Sequence, residues 1–273
     1  MKQTKYREAA RGFYKPWAVT LMGVSYLDEA PSSTSSESLV VSFEPMLTLP
    51  PPLFRYTKRA YAEDLVHRGK IRLGTLYEYK RIEDHAPMIG DEDEGVKSLY
   101  DNPAFASAGG LSRFARSIAD RAIRNLPTDP FARVLFNQCL FEEVYTSPDR
   151  WVYCMSKRLG ARVMHSMDPA YDTCVRIDYV RAFFELIRAE LMRQRVITDG
   201  NRISECFYRD RVQHYLRDGG RDPAVLKAPK YAAQEEVRFV FVPVEPTTIA
   251  PRFLTLPKLR DLCELDPRVD SID

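Results

Sequence analysis

Residues 234–242 read QEEVRFVFV, and this stretch decides how the 273-residue chain is interpreted. Apolar and polar residues alternate along it, which is typical of a β-strand with one face in the core. The apolar positions are Val237, Phe239 and Phe241. The polar positions are Gln234, Glu236 and Arg238. We therefore predict a strand over 235–242, ended by Pro243 because proline cannot donate to a sheet ladder.

The polar face of this strand requires an explanation. Polar and charged groups on a largely buried strand must be hydrogen-bonded, paired or exposed to a cleft. One interpretation is a structural ion pair of Glu236 with an arginine at the sheet surface. The other is a functional site in which Glu236 and Gln234 face a ligand.

Short strands and helices alternate irregularly on both sides of this stretch. The predicted strands lie at 19–27, 39–43, 54–56, 70–79, 151–156 and 173–178. The predicted helices lie at 58–68, at 111–122 and 131–139 within a helical segment 101–147, and from 180 onward. Irregular alternation favours an α+β fold. We predict a mixed, largely antiparallel sheet core with a helical insertion at about 101–147.

The first 50 residues differ from the rest of the chain. Residues 29–38 are rich in serine and read as a linker, and a proline run follows at 50–52. We therefore predict an N-terminal extension over 1–50 and a single domain over 51–273.

Several local signals define the boundaries of these elements. Thr57 is placed to cap the helix that follows it, and Gly69 is placed to end that helix. Tyr61 and Leu65 are expected on its buried face. Asp178 is expected to cap the helix whose apolar stripe is Val180, Phe183, Phe184, Ile187 and Leu191.

Composition limits the classes of function. Forty basic residues against 38 acidic ones give a net charge of +2, so no strong overall field points to nucleic acid or a membrane. The five cysteines form no C-x-x-C pair, which favours reduced, buried thiols. The N-terminus lacks an apolar signal region and no long apolar run occurs, so we expect a cytoplasmic protein without a membrane span.

Familiar catalytic motifs are missing from the sequence. It contains no G-x-G-x-x-G, Walker A, H-E-x-x-H or G-x-S-x-G pattern. The acidic stretch 90–95, GDEDEG, does not have EF-hand spacing, so we favour a solvated loop with glycine hinges over a metal site.

Two further positions are candidates for ligand contacts. Arg55 alternates with Phe54 and Tyr56, so it can face a cleft and clamp a phosphate or ribose while they face the core. Ser156, at the end of the apolar strand 151–156, either binds a ligand or caps the next helix. Capping is the commoner role for serine.

The order of these segments resembles a group of bacterial and phage proteins of unknown function over roughly residues 53–243. The segments are FRYT (54–57), IRLGTLYEY (71–79), IGDEDEG (89–95), WVYCMS (151–156) and QEEVRF (234–239). More loosely, it resembles the three-part signature of the ADP-ribosyltransferase superfamily. That signature has Arg or His on a first strand, Ser or Tyr on a middle strand, and Gln/Glu-x-Glu on a later one.

The resemblance implies a split-sheet fold and NAD as a substrate. NAD would be bound by Arg55 and its neighbour Tyr56, together with either Tyr153 or Ser156. Glu236 would be catalytic, holding the nicotinamide-ribose 2′-hydroxyl and stabilising positive charge on the ribose. Gln234 would orient the acceptor, which is a protein or a nucleic acid.

Three hypotheses about function follow. The first is an NAD-dependent ADP-ribosyltransferase-like protein acting in bacterial–phage conflict. The second is a non-catalytic binding or assembly protein of phage or bacterial origin. The third is a metal-dependent nuclease using residues 91–94, with Glu235 and Glu236 as a second carboxylate cluster. The oligomeric state is left open.

Overall fold

A computed structural model of the protein describes residues 19–20, 24–28, 52–81, 90–103, 105–107, 110–122, 132–137, 139–245 and 249–268. The helices are α1 (Arg59–Arg68), α2 (Arg113–Ala122), α3 (Ala161–Met167) and α4 (Val180–Arg193). The strands are β1 (Val19–Thr20), β2 (Val24–Asp28), β3 (Leu53–Thr57), β4 (Lys70–Thr75), β5 (Val96–Asp101), β6 (Phe105–Ser107), β7 (Ala132–Asn137), β8 (Leu140–Thr146), β9 (Trp151–Ser156), β10 (Thr173–Ile177), β11 (Arg202–Glu205), β12 (Phe207–Tyr208), β13 (Val212–His214), β14 (Leu226–Lys227), β15 (Glu236–Phe241), β16 (Arg252–Thr255) and β17 (Cys263–Leu265).

The chain divides into two compact units. The small unit comprises Met1–Leu39, Ser98–Tyr145 and Val212–Gly219, and the large unit comprises Val40–Lys97, Thr146–Arg211 and Gly220–Asp273. The N-terminal extension over 1–50 and the single domain over 51–273 stay a prediction. Within the small unit, β1 pairs with β8 and β2 pairs with β7.

The large unit is built on one sheet with the strand order β11-β15-β9-β3-β10-β17. Each neighbouring pair along this path is antiparallel. Strand β4 also pairs with β9 and carries β16 at its outer side. The α+β class with a largely antiparallel sheet is therefore confirmed.

The core of the large unit lies between this sheet and α4. The predicted apolar stripe of α4 is buried, and so are Val237, Phe239 and Phe241 of β15. Phe184 contacts both phenylalanines, with ring centroids 5.1 Å from Phe239 and 5.4 Å from Phe241. Aromatic contacts of this kind add to the free energy gained by removing apolar surface from water. This packing fixes which face of β15 points away from the core.

The sheet opens between β3 and β4, which both pair with β9. Strand β3 meets β9 at Phe54 and Ser156, whereas β4 meets it at Gly74–Val152 and Thr75–Trp151. Along the intervening part of β9, neither of these strands supplies a backbone partner. The guanidinium of Arg55 lies in this gap and donates a 2.7 Å hydrogen bond to the Cys154 carbonyl. The gap is the structural feature that positions the site.

The described residues of the small unit form two sheets and helix α2. The sheet orders are β1-β8-β5-β13 and β2-β7-β6. Helix α2 has a small core around Ala115, Ile118 and Phe141. The predicted helix at 111–122 is thus confirmed, but the one at 131–139 is wrong because Ala132–Asn137 is strand β7. The apolar run 134–136, VLF, fits the period of a helix as well as that of a strand. Pairing with β2 and β6 makes it a strand.

The start of the large unit agrees with the prediction except at three positions. Strand β3 and helix α1 lie where expected, and Gly69 ends the helix with φ of 66°. Lys58 rather than Thr57 is the N-cap, because Thr57 still belongs to β3. Tyr61 is 60% exposed instead of buried. Strand β4 stops at Thr75, because a turn leads into a short 3₁₀ helix at Glu78–Lys80.

Other boundaries also shift. Tyr179 rather than Asp178 precedes α4 as its N-cap, while Asp178 forms an ion pair with Arg176. Strands β16 and β17 follow residue 243, beyond the last strand expected from the sequence. The strand expected over 19–27 is two strands, β1 and β2. The linker at 29–38 and the strand at 39–43 lie outside the described residues.

Within the described ranges, no helix is both long enough and apolar enough to cross a membrane.

Candidate functional site

Five of the six predicted site residues line one cavity in the large unit. These five are Arg55, Tyr56, Ser156, Gln234 and Glu236. The cavity, called the inner cavity below, has a volume of about 60 Å³. The sixth residue, Tyr153, lines an adjoining cleft of about 410 Å³, called the outer cleft. Arg55 lines both spaces and stands at their junction.

Three neighbouring strands bring these residues together. In the sheet, β9 lies between β15 and β3, and Glu236 pairs directly with Ser156 across the β15–β9 ladder. Ser156 in turn pairs with Phe54, the neighbour of Arg55. Positions that are about 80 and 180 residues apart in sequence therefore converge because of strand order.

Glu236 is buried between two cations. Its Oε2 accepts a 2.6 Å hydrogen bond from Lys227 Nζ, and its Oε1 accepts one of 2.6 Å from Arg238 Nε. Burial alone would raise the pKa of Glu236, but the charges and hydrogen bonds of Arg238 and Lys227 hold it well below its usual value. Glu236 is therefore a carboxylate at neutral pH.

Arg238 carries a second carboxylate partner from the acidic stretch 90–95. Its Nη1 and Nη2 donate to the two Glu94 oxygens at 2.8 and 3.0 Å, and Nη1 also donates to the Ala224 carbonyl at 2.7 Å. Glu94 is fully buried. The four charges of Lys227, Glu236, Arg238 and Glu94 sum to zero, which is the usual condition for charges in a protein interior.

The acidic stretch is thus part of the fold, and the expectation of a solvated loop is wrong for half of it. Asp91 is buried and forms an ion pair with Arg211, while Glu92 and Asp93 are exposed. The physical reason is that Arg211 and Arg238 supply charge partners that the local sequence does not contain. In the part of the chain that the structure describes, no cluster of three His, Cys, Asp or Glu side chains could hold a metal ion.

Ser156 and Tyr56 shape the cavity through hydrogen bonds to the backbone. The Ser156 hydroxyl donates to the Gln234 carbonyl at 2.7 Å and accepts from the Arg158 amide at 3.0 Å. Tyr56 donates to the Arg158 carbonyl at 2.7 Å and accepts from the Gly160 amide. Ser156 therefore does not cap the next helix, because Gly160 holds that position.

Arg55 is a partly buried cation that lines both spaces. It forms no ion pair with a carboxylate among the described residues, and its guanidinium lies 5.1 Å from the centre of the Tyr153 ring. Tyr79 and Tyr171 line both spaces beside it. A guanidinium without a counterion and surrounded by phenols is suited to bind an anion such as a phosphate.

The outer cleft combines aromatic side chains with paired charges. Tyr61 and Phe253 lie at its wall with about 60% of their surface exposed. Lys70 pairs with Asp64, and Arg72 pairs with Glu78. Exposed aromatic faces beside cations are favourable surfaces for stacking a planar ring.

The backbone of Glu235 turns Gln234 toward the cavity. Gln234 ends a 3₁₀ helix, Pro229–Gln234, instead of starting the strand, and Glu235 has φ of 42° and ψ of 50°. Left-handed backbone is unfavourable for a residue with a side chain and is often found at functional sites. The expected placement of Gln234 on the strand is therefore wrong, although its side chain does reach Glu236 through Lys227.

Sequence reasoning missed Lys227, Glu94, Tyr79 and Tyr171 as lining or supporting residues. Lys227 lies in the segment 224–230, AVLKAPK, which has neither the helical nor the strand period. No local pattern therefore marks Lys227 as a site residue. The one available signal was chemical: a buried Glu and Arg on one strand face need partners elsewhere in the chain.

None of the five cysteines forms a disulfide bond. Four of them are buried, and Cys154 is partly buried at the inner cavity. Burial raises the pKa of the Cys154 thiol to about 12, so it is not a thiolate nucleophile at neutral pH.

Comparisons with protein-family models, with curated proteins and with solved structures find no significant match to this chain.

Proposed function

We propose that the protein is an NAD-dependent ADP-ribosyltransferase-like enzyme whose site lies in the inner cavity and the outer cleft. The observation that carries the proposal is the convergence of Arg55, Ser156 and Glu236 from three adjacent strands on one cavity. The opening of the sheet between β3 and β4 supports the split-sheet comparison made from the signature.

The shape and chemistry of the two spaces suit a dinucleotide. A cleft of about 410 Å³ falls within the usual range for small-molecule sites. Arg55 at the junction is suited to the pyrophosphate, and the aromatic wall around Tyr153 and Tyr171 is suited to a base or ribose. Glu236 at the far end then faces the nicotinamide ribose.

The reaction breaks the bond between ribose C1′ and the nicotinamide nitrogen. The electron pair leaves with nicotinamide, and positive charge develops on C1′ and the ring oxygen. A fixed carboxylate beside that charge lowers the barrier, and Glu236 is such a group. A nucleophilic atom of the acceptor, on a protein or a nucleic acid, forms the new bond to C1′ and releases its proton to water.

A second candidate is a protein that binds a phosphorylated nucleotide without turnover. The specific observation in its favour is that Lys227 and Arg238 occupy both oxygens of Glu236. A carboxylate neutralised on both sides is a weaker stabiliser of a developing cation.

The test is release of nicotinamide from NAD by the purified protein, measured together with NAD binding by calorimetry. Glu236→Gln is expected to lower the release rate by about 100-fold or more, because it removes the charge that stabilises the transition state. The matched control is Glu205→Gln, which changes a carboxylate on the adjacent strand β11 that pairs with Lys157 near the surface.

A second variant keeps the buried charges balanced, so that a loss of activity cannot be caused by misfolding. Glu236→Gln combined with Lys227→Met leaves Arg238 and Glu94 as a neutral pair, so the fold is retained while the carboxylate is lost. Binding of NAD without release, both by the wild type and by variants changed at Lys227 alone, would favour the second candidate. Absence of both binding and release in all of these proteins would contradict both proposals.

A further inference from the structure

Lys227 is a buried ammonium group with three neighbours in the site. Its Nζ donates to Glu236 Oε2 at 2.6 Å and to Gln234 Oε1 at 2.8 Å, and it lies 4.8 Å from the centre of the Tyr231 ring. Only 4% of its surface is exposed. It thus binds both polar side chains that the proposed reaction uses.

The position of Lys227 conflicts with substrate binding. A ribose hydroxyl that binds Glu236 must reach one of its two carboxylate oxygens, and Oε1 lies against the Arg238 guanidinium. Arg238 is fixed by Glu94 and the Ala224 carbonyl, so it is the less movable partner. Oε2 is therefore the oxygen whose partner can move aside for substrate, and that partner is Lys227 Nζ at 2.6 Å.

The size of the inner cavity agrees with this conflict. Its volume of about 60 Å³ admits roughly five water molecules. A nicotinamide-ribose unit is larger than that. Moving the Lys227 side chain away from Glu236 would enlarge the cavity at the place where the ribose must bind.

We propose, building on the proposed function, that Lys227 is an autoinhibitory latch on Glu236. In the latched state its ammonium occupies the ribose-binding oxygen and neutralises the carboxylate. Substrate binding or an acceptor must displace it before the glycosidic bond can break. The backbone around Lys227 is anchored, since Ala224, Val225 and Leu226 are buried, so release is a movement of the side chain.

The charge balance predicts whether removing the Lys227 ammonium raises or lowers the rate of nicotinamide release. With Lys227 in place the four-residue network is neutral, and without its ammonium the network carries one net negative charge beside C1′. That charge stabilises an oxocarbenium-like transition state more than the neutral ground state. Removing the latch should therefore increase the rate, which the loss of a merely structural residue would not do.

The experiment compares nicotinamide release and NAD affinity in the wild type, Lys227→Met and Lys227→Gln. Methionine retains most of the side-chain volume without charge, and glutamine retains a hydrogen-bond donor without charge. Both are expected to raise kcat/KM for nicotinamide release by about tenfold or more. Melting temperatures establish that each variant is folded, and the glutamine variant serves if the methionine variant is not.

The matched control is Lys230→Met. Lys230 also lies beside the Tyr231 ring, at 4.9 Å, but is exposed and has no hydrogen bond to Glu236. Its variant is expected to retain the wild-type rate. Rates equal to or below wild type in both Lys227 variants, with Glu236→Gln inactive, would overturn the latch while leaving the proposed function in place. Absence of binding and release in every protein would overturn both.

Discussion

Arg238 is held by two carboxylates that come from distant parts of the chain. Glu236 lies two residues away on the same strand, and Glu94 lies 144 residues away in the acidic stretch. A buried guanidinium needs such partners because an isolated charge in the interior costs several kcal/mol. Single side chains therefore decide the stability of this region as well as its chemistry.

Glu94→Ala is expected to destabilise the protein by roughly 3–5 kcal/mol, because it leaves part of the Arg238 charge buried and unpaired. Urea unfolding followed by circular dichroism measures the change in the free energy of unfolding. Glu92→Ala, an exposed position in the same stretch, is the control and is expected to change it by less than about 0.5 kcal/mol. Equal effects of the two substitutions would show that Glu94 is not a buried charge partner.

At the scale of elements, Gly69 joins helix α1 to strand β4 where two parts of the backbone approach closely. It has φ of 66°, and its carbonyl accepts a 2.8 Å hydrogen bond from the Leu256 amide. A Cβ atom at this position would lie 2.1 Å from the Leu256 carbonyl oxygen. Glycine is thus required both for its backbone angle and for lack of space.

Gly69→Ala is expected to reduce the free energy of unfolding by more than the roughly 1–2 kcal/mol that left-handed backbone alone costs an alanine. The control is Gly220→Ala, because Gly220 has φ of 70° and open space where a Cβ would lie. The difference between the two variants in urea unfolding gives the cost of the backbone clash. No difference would mean that the contact with Leu256 does not limit this position.

At the scale of the whole molecule, the free energy of unfolding should fall at acid pH, because the network of Lys227, Glu236, Arg238 and Glu94 contains carboxylates that must stay ionised. The folded-state pKa of Glu236 lies below its unfolded value of about 4.3, so the unfolded chain binds more protons as the pH falls. The stabilisation from this group is complete above about pH 5 and is lost as the pH falls through 4 and below. Asp222 acts in the same direction, since Arg150 and Arg202 lower its pKa against the effect of burial.

We expect the wild type to be more stable than Glu236→Gln at pH 7 by roughly 3 kcal/mol, and this difference to shrink as the pH falls toward 3. The reason is that Glu236 takes up a proton in the unfolded chain below about pH 4.3 while it stays ionised in the folded protein, whereas glutamine does not titrate in either state. Urea unfolding of both proteins between pH 7 and pH 3 measures the difference. A difference that stays constant over this range would contradict the assigned state of Glu236.

The strands and the main helix could be predicted because their signals are local. The alternation in 236–241, the apolar run 151–156 and the stripe of α4 each reflect the geometry of a single element. The grouping of Arg55, Ser156 and Glu236 was also predicted, although from a resemblance to a signature and not from periodicity. The short apolar run at 132–137 was misassigned because its period is ambiguous and its strand partners are far away in sequence.

The amino-acid sequence by itself determined that β15 has an apolar face of Val237, Phe239 and Phe241 and a polar face containing Glu236 and Arg238. Only the tertiary structure decided what that polar face contacts. The partners Lys227 and Glu94 come from other parts of the chain, so no periodicity in the strand encodes them. Burial makes charge pairing obligatory, but the fold alone selects which charges meet, because a side chain pairs with whatever strand order brings within hydrogen-bond distance.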